Sequence, residues 1–256
     1  MRNHFIQKAY LDNFLGNDGL FVYDYKNQKM LNPIHNTKLI GFQKGLYHFE
    51  SIQIEDELIE KNIKNIEDIG ISIVRKIIQT EKLPDEQDLQ QLFVYYILQS
   101  LRNPSVENYT KMIGDKINAI DPRYNYRDLF IINMFSQEGY AQTLSILQDY
   151  DVFLIKMDIP LFVLTDRFCE SLGCWVENVI PINGNLALYL TQKGYKNPYM
   201  NIDGNKTITT ISIREYILLY PLIGGSVDRW LYGQSCSAVN KVIPFLQQKL
   251  IRGELN

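Results

Sequence analysis

The sequence has few cysteines and few histidines. Of its 256 residues, three are cysteine and three are histidine. The cysteine spacing, Cys169-x4-Cys174 with Cys236 far along the chain, matches no zinc-binding pattern. Because the number of cysteines is also odd, we interpret them as reduced thiols and expect a cytoplasmic protein.

Long hydrophobic runs and an excess of basic charge are also lacking. No apolar run reaches the roughly 18 residues of a membrane-spanning helix, so we expect no membrane partner. The first ten residues lack the apolar core of a signal peptide. The net charge is -3, which argues against a broad basic surface for long duplex DNA. This net charge is still compatible with a local basic groove that binds a nucleotide or RNA.

Three common catalytic and phosphate-binding motifs are missing as well. The chain contains no G-x-S-x-G nucleophile elbow, no H-E-x-x-H helix and no Walker loop. Regular alternation of strands and helices is not seen either, which argues against a parallel α/β sheet. Tyrosine, by contrast, is frequent, with 17 residues. Buried tyrosines usually need hydrogen-bond partners, so we expect a core that is not purely aliphatic.

The hydrophobic periodicity predicts an α+β fold in a single domain, 1–256, helix-rich over 1–150 and β-rich over 151–256. An N-terminal helix, a β-hairpin and a helical hairpin come first, and a β-rich half closes with a helix. The predicted helices span Asn3 to about Phe14, 55–79, 86–103 (capped by Asp85 and ended at Pro104), about 127–148, and 235–250. The predicted strands lie in 19–33 (a hairpin), 45–50, 152–157, 161–166, 186–191 and 206–213.

Two glutamates interrupt an apolar stripe of the 55–79 helix. Glu60 and Glu67 share this stripe with four aliphatic residues, and an unpaired buried carboxylate is costly. The following helix carries Gln99 and Arg102 along one seam and is expected to pack antiparallel. Arg102 could form a bidentate pair with Glu60 or Glu67. Antiparallel packing favours Glu60, since the end of one helix approaches the start of the other.

Further polar residues occur where apolar ones are expected. His4 and Gln7 share the predicted buried face of the first helix with Leu11 and Phe14. Asp166 ends a β-rich run, and strand ends often carry working carboxylates, although a turn cap is an equally good interpretation. A buried Glu–Arg pair is itself more often a scaffold than a catalytic group.

The motif His4-Phe5-Ile6-x-x-x-Tyr10-Leu11-x-x-Phe14 resembles domain-of-unknown-function family 4238. Members of that family open with H-F-I-P-x-x-Y-L-x-x-F, and Gln7 replaces the proline here. Ile59-Glu60, Ile66-Glu67, Arg102-Asn103-Pro104 and Thr165-Asp166 resemble later motifs, so the resemblance spans about 4–245. It implies that one recurring set of residues converges at a pocket. That set is His4, Tyr10, Glu60, Glu67, Arg102 and Asp166.

The leading hypothesis is a metal-independent hydrolase or nuclease-like effector, without a cofactor, acting on a phosphodiester or nucleotide. A role in phage defence or as a toxin is an analogy. His4 would be the acid/base and Arg102 would stabilise charge on phosphate. Glu60 or Glu67 would orient Arg102 or transfer a second proton, and Asp166 would complete the catalytic set. The expected substrate-binding residues are Gln7, Tyr10 and Gln99.

Two alternatives stay open. The first is a non-catalytic binding module for an anionic small ligand, with a structural polar cluster. The second is a metal-dependent hydrolase that uses His4, Glu60, Glu67 and Asp166. A catalytic cluster should line an open pocket with His4 beside a carboxylate, whereas a scaffold should pair its donors internally. The sequence does not indicate an oligomeric state.

Overall fold

Helices and strands are mixed along the chain, which confirms the predicted α+β class. The computed structural model describes residues 2–4, 6–44, 56–103, 131–166, 176–204, 207–224 and 229–251. Its helices are α1 Lys8–Leu11, α2 Asp56–Thr80, α3 Glu86–Leu101, α4 Gln137–Gln148, α5 Ile213–Gly224 and α6 Cys236–Ile251. Its strands are β1 Arg2–His4, β2 Phe21–Asp24, β3 Lys29–Met30, β4 Phe42–Lys44, β5 Tyr150–Lys156, β6 Val163–Thr165, β7 Glu177–Pro181, β8 Leu186–Gln192, β9 Thr209–Thr210 and β10 Trp230–Gly233.

Strands from both halves of the sequence share a sheet. Over the described ranges, the strands form a β1-β4 ribbon, a sheet ordered β3-β2-β10-β6 and a sheet ordered β7-β8-β5-β9. All pairs are antiparallel except β5 with β9. In the second sheet, β2 from the helix-rich half pairs with β10 from the β-rich half. The two halves are therefore joined by backbone hydrogen bonds.

The β3-β2-β10-β6 sheet lies between two hydrophobic cores. Side chains alternate between the faces of a strand, so Tyr232 joins the core beneath α2 and α3 while Leu231 joins the core beneath α5 and α6. The first core is rich in tyrosine, as the composition predicted. Tyr10 packs against Tyr95 and Tyr96 with ring centroids 6.1 Å apart in both pairs.

The helical hairpin of α2 and α3 confirms the clearest sequence prediction. Asp85 caps α3, and its Oδ1 accepts a hydrogen bond from the Asp88 backbone N–H at 2.9 Å. The two helices approach closely at Gly70. A Cβ on Gly70 would lie 2.2 Å from Cγ of Tyr95, so only glycine allows this contact.

The N-terminal helix is shorter than predicted. Residues Arg2–His4 form β1, which pairs with β4 so that His4 lies opposite Phe42. Gln7 is the extended N-cap residue before α1 (ψ 129°). The helical periodicity therefore holds only from Lys8 onwards, because tertiary strand pairing overrides it before that residue.

The C-terminal half contains a helix that was not predicted. The strand expected over 206–213 is reduced to Thr209–Thr210, and α5 begins at Ile213. Ser212 and Glu215 form reciprocal hydrogen bonds at its start. This S-x-x-E pattern is a capping box and was the overlooked signal.

The remaining predictions have mixed outcomes. The hairpin of β2 with β3 and the closing helix, which contains Pro244, are confirmed. In the third predicted helix, residues 131–133 are helical, residues 134–136 interrupt the helix, and α4 begins at Gln137 after the Ser136 cap. The strand expected over 45–50 lies outside the described residues, as does Pro104 itself, but α3 ends at Leu101, two residues before the predicted end at 103. None of the helices within the described ranges is long and apolar enough to cross a membrane.

Candidate functional site

Arg102 is the centre of a buried polar cluster that joins three elements. It occupies the C-cap position of α3 and is only 3% exposed. One terminal nitrogen, Nη1, donates to Oε1 of Glu67 on α2, and the other, Nη2, donates to the backbone carbonyl of His4 on β1. The guanidinium thus links both helices of the hairpin to the N-terminal strand.

Gln99 and Tyr95 extend this network by one and two turns of α3. Gln99 Oε1 accepts the Gln7 backbone N–H at 3.0 Å, and Gln99 Nε2 donates to Glu67 Oε1 at 3.4 Å. The Tyr95 hydroxyl donates to Gln7 Oε1 at 2.7 Å. Because Tyr95, Gln99 and Arg102 are spaced i, i+4, i+7, one face of α3 carries all three contacts.

The partner of Arg102 is Glu67, and the geometric preference for Glu60 was wrong. With 16 residues, α3 is shorter than α2, which has 25. Its C-terminal end therefore lies opposite the middle of α2. Glu60 lies seven residues before Glu67, about 10 Å further along the helix axis.

His4 lies at the edge of the cluster and is half-buried. Its ring makes an edge contact with Phe42, with centroids 5.9 Å apart. Burial, followed by the positive charge of Arg102, lowers the pKa of His4, while backbone hydrogen bonds and Glu67 offset part of this effect. The imidazole is therefore neutral at neutral pH.

Asp166 joins the cluster only indirectly. Its Oδ2 accepts the backbone N–H groups of Arg229 at 2.8 Å and Trp230 at 3.0 Å. Asn103, next to Arg102, donates its side-chain amide to the Asp166 backbone carbonyl at 2.6 Å. The carboxylate thus caps backbone donors at the strand end, as in the turn-cap interpretation.

Tyr10 lies deeper than a substrate-contacting residue would. It is fully buried, and its hydroxyl donates to the Pro181 carbonyl at 2.5 Å. This bond ties the helix α1 to the strand β7.

The structure does not assemble the metal site of the metal-dependent alternative. Over the described ranges, no three His, Cys, Asp or Glu side chains lie close enough together to hold a metal ion. The set of His4, Glu60, Glu67 and Asp166 therefore does not converge on one point.

Residues 2–130 match a family described as "Protein of unknown function (DUF4238)". The chain belongs to this family. The match includes every expected site residue except Asp166 and is shorter than the resemblance over about 4–245. No curated protein and no solved structure matches the chain.

Two polar residues of this DUF4238 chain were missing from the expected site. Tyr95 lies in the same seam as Gln99 and Arg102, and this spacing could have identified it. Asn103 directly follows Arg102. Its contact with Asp166 joins two residues that are 63 positions apart in the sequence. Local sequence carries no signal for such a contact.

Proposed function

We propose that this DUF4238 protein is a non-catalytic binding protein in which the polar cluster is structural. The proposal is supported by the burial of Arg102 and by the hydrogen-bond partners of its guanidinium. An arginine that stabilises a phosphate must direct its terminal N–H groups at the substrate. Here Arg102 is 3% exposed and both terminal nitrogens donate to protein groups, Glu67 and the His4 carbonyl.

The partners of the cluster explain what it stabilises. Arg102 binds the carbonyl of His4, and Gln99 binds the N–H of Gln7. Docking the N-terminal segment on α3 buries these backbone groups, and an unpaired buried group would cost about 1–3 kcal/mol. The cluster therefore holds His4 and Gln7 against the helical hairpin.

The sequence also suggested an anionic small ligand for such a protein. An anion bound by this cluster would need a guanidinium whose N–H groups face the ligand. Because the terminal nitrogens of Arg102 donate to protein groups, the cluster does not support an anionic ligand at this position.

Paired substitution tests the structural role. Removing one partner of a buried ion pair, in Glu67→Met or Arg102→Met, is expected to cost about 3–5 kcal/mol. The double variant is expected to be more stable than either single variant, since no unpaired charge remains. Urea unfolding measures each free energy. Lys76→Met is the matched control, because the Lys76–Asp88 bridge is exposed and exposed ion pairs contribute little to stability.

A hydrolase is the second candidate, favoured by one observation. The lowered pKa of His4 keeps its imidazole neutral, as a general base requires. In this candidate the substrate is a phosphodiester or nucleotide, RNA included, and the role is in phage defence or toxin-like.

Expression and RNA integrity distinguish the two candidates. We expect cells expressing the wild type to grow normally with intact RNA, indistinguishably from cells expressing His4→Asn. Cleavage of RNA by the purified wild type, reduced about 100-fold or more in a His4→Asn variant of unchanged Tm, would favour the hydrolase and refute the binding proposal.

A further inference from the structure

The outer side of α5 is apolar although its inner side is already packed. Tyr216 and Leu219 are fully buried in the core beneath α5 and α6. On the opposite side of the helix, Ile213, Ile217 and Leu218 are 45%, 41% and 42% exposed. A helix that is hydrophobic on all sides is normally buried on all sides. A contiguous group of exposed apolar side chains therefore indicates an interaction surface.

One positive charge lies within this surface. Arg214 is exposed, and at about 100° per residue it projects between Ile213 and Leu218. In the part of the chain that the structure describes, no carboxylate lies within ion-pair distance of its guanidinium. The residues of this surface, which we call the α5 face, are Ile213, Arg214, Ile217 and Leu218. A partner of the α5 face must combine apolar contact with a negative charge.

A groove between α2 and α3 has this combination. It has a volume of about 520 Å³ and opens to solvent, and Ile69 and Ile73 supply its apolar surface. Sites that bury a drug-sized ligand have volumes of about 300–1,000 Å³. The groove therefore has room for several side chains of a partner.

The groove carries a net negative charge. Its ionisable residues are Asp68, Lys76 and Asp88. Lys76 and Asp88 compensate each other through an ion pair of 2.7 Å. Asp68 is exposed, and among the described residues no lysine or arginine lies within ion-pair distance of its carboxylate. The groove and the α5 face thus each present apolar side chains beside an unpaired charge, and the two charges have opposite signs.

The groove and the α5 face lie on opposite sides of the molecule. The β3-β2-β10-β6 sheet separates the core beneath α2 and α3, which contains Ile73, from the core beneath α5 and α6, which contains Tyr216. The two surfaces are therefore placed to meet between two copies of the chain. A contact between different surfaces of two copies is head-to-tail, and it leaves one surface of each kind free at the two ends.

We propose that the α5 face of one copy docks into the groove between α2 and α3 of a second copy, with Arg214 paired to Asp68. Further copies add in the same way, to form a ring or an open chain. Because the α5 face has only three large apolar side chains, the contact is expected to be weak and to depend on protein concentration. Neither Asp68 nor Arg214 belongs to the cluster around Arg102, so the proposal does not depend on whether that cluster is structural or catalytic.

Sedimentation equilibrium of the full chain at low ionic strength tests the contact. At protein concentrations up to about 1 mM it detects a contact with a Kd near 1 mM. The average mass of the wild type is expected to rise with concentration beyond that of a dimer. Asp68→Arg and Arg214→Asp each place like charges in the contact and should weaken association about tenfold or more.

Exchange of the two charges is the decisive arm of the experiment. The double variant Asp68→Arg with Arg214→Asp should associate within about threefold of the wild type, because the charges again have opposite signs. Mixing the two single variants should also restore association. Glu57→Arg is the matched control, because Glu57 is an exposed carboxylate of the same helix about 16 Å from Asp68 along its axis. This variant should associate like the wild type.

Several results would overturn the proposal. They are a wild type that stays monomeric up to about 1 mM, a complex that stops at a dimer, a single charge reversal that associates like the wild type, and a double variant that does not recover. Should a charge variant not fold, Ile217→Ser replaces it, and unchanged association by that variant is equally decisive. A monomeric wild type that cosediments with phosphatidylglycerol vesicles, and no longer does so in Ile217→Ser, would assign the α5 face to a lipid surface instead.

Discussion

Gly70 offers the sharpest test of how the helical hairpin positions the cluster. In Gly70→Ala, the new Cβ would lie 2.2 Å from Cγ, 2.6 Å from Cβ and 2.7 Å from Cδ1 of Tyr95. Carbon atoms in contact lie at least about 3.5 Å apart, so α3 must move by about 1.3 Å. Overpacking of this kind costs about 1–3 kcal/mol, whereas alanine gains about 0.5–1 kcal/mol of helix stability over glycine. We expect a net loss of about 1 kcal/mol, within a range of about 0–2.5 kcal/mol.

Urea unfolding followed by tryptophan fluorescence measures the effect, since the chain has two tryptophans. Ser72→Ala is the control, because Ser72 is exposed on the same helix and alanine there brings the propensity gain without a clash. We expect Ser72→Ala to be as stable as the wild type or slightly more so. A Gly70→Ala variant that is as stable as Ser72→Ala would refute the close approach of α2 and α3.

Two further predictions follow from backbone and charge. Folding lowers the pKa of His4 below 6.5. As the pH falls below about 6.5, the His4 imidazole therefore takes up a proton in the unfolded chain before it does so in the folded protein. The free energy of unfolding is thus expected to decrease as the pH falls below about 6.5. Unfolding across this window should be less pH-dependent in His4→Gln, and an unchanged slope would contradict the reasoning. Glu81 has a φ of 51° and contacts Lys156 through both oxygens. Glu81→Gly and Glu81→Gln both lose the ion pair with Lys156, but only glycine adopts this left-handed backbone without strain. Glu81→Gly should therefore be about 1 kcal/mol more stable than Glu81→Gln. Equal Tm values for the two variants would show that this residue is unstrained.

Repetitive local patterns predicted the long elements well. The i, i+4, i+7 spacing of apolar residues predicted α2, and the Pro84-Asp85 signal located the start of α3. Even the seam of Gln99 and Arg102 followed from spacing alone. These features depend on residues within one helix, so a single sequence contains the information they require.

Other features required contacts between distant segments. The N-terminal residues look helical, yet His4 pairs with Phe42, 38 positions away, and becomes part of a strand. Where pairing competes with local preference, the larger number of tertiary contacts decides the outcome. The capping box of Ser212 and Glu215, by contrast, was a local signal that was overlooked.

By itself, the sequence determined the α+β class, the helical hairpin and which side chains would be polar within it, because these depend on periodicity and capping. The tertiary structure decided that Arg102 pairs with Glu67, since the relative lengths of α2 and α3 set the point where they meet. It also decided that Asp166 caps backbone groups. Charge compensation depends on neighbours in space, which spacing along the chain does not specify.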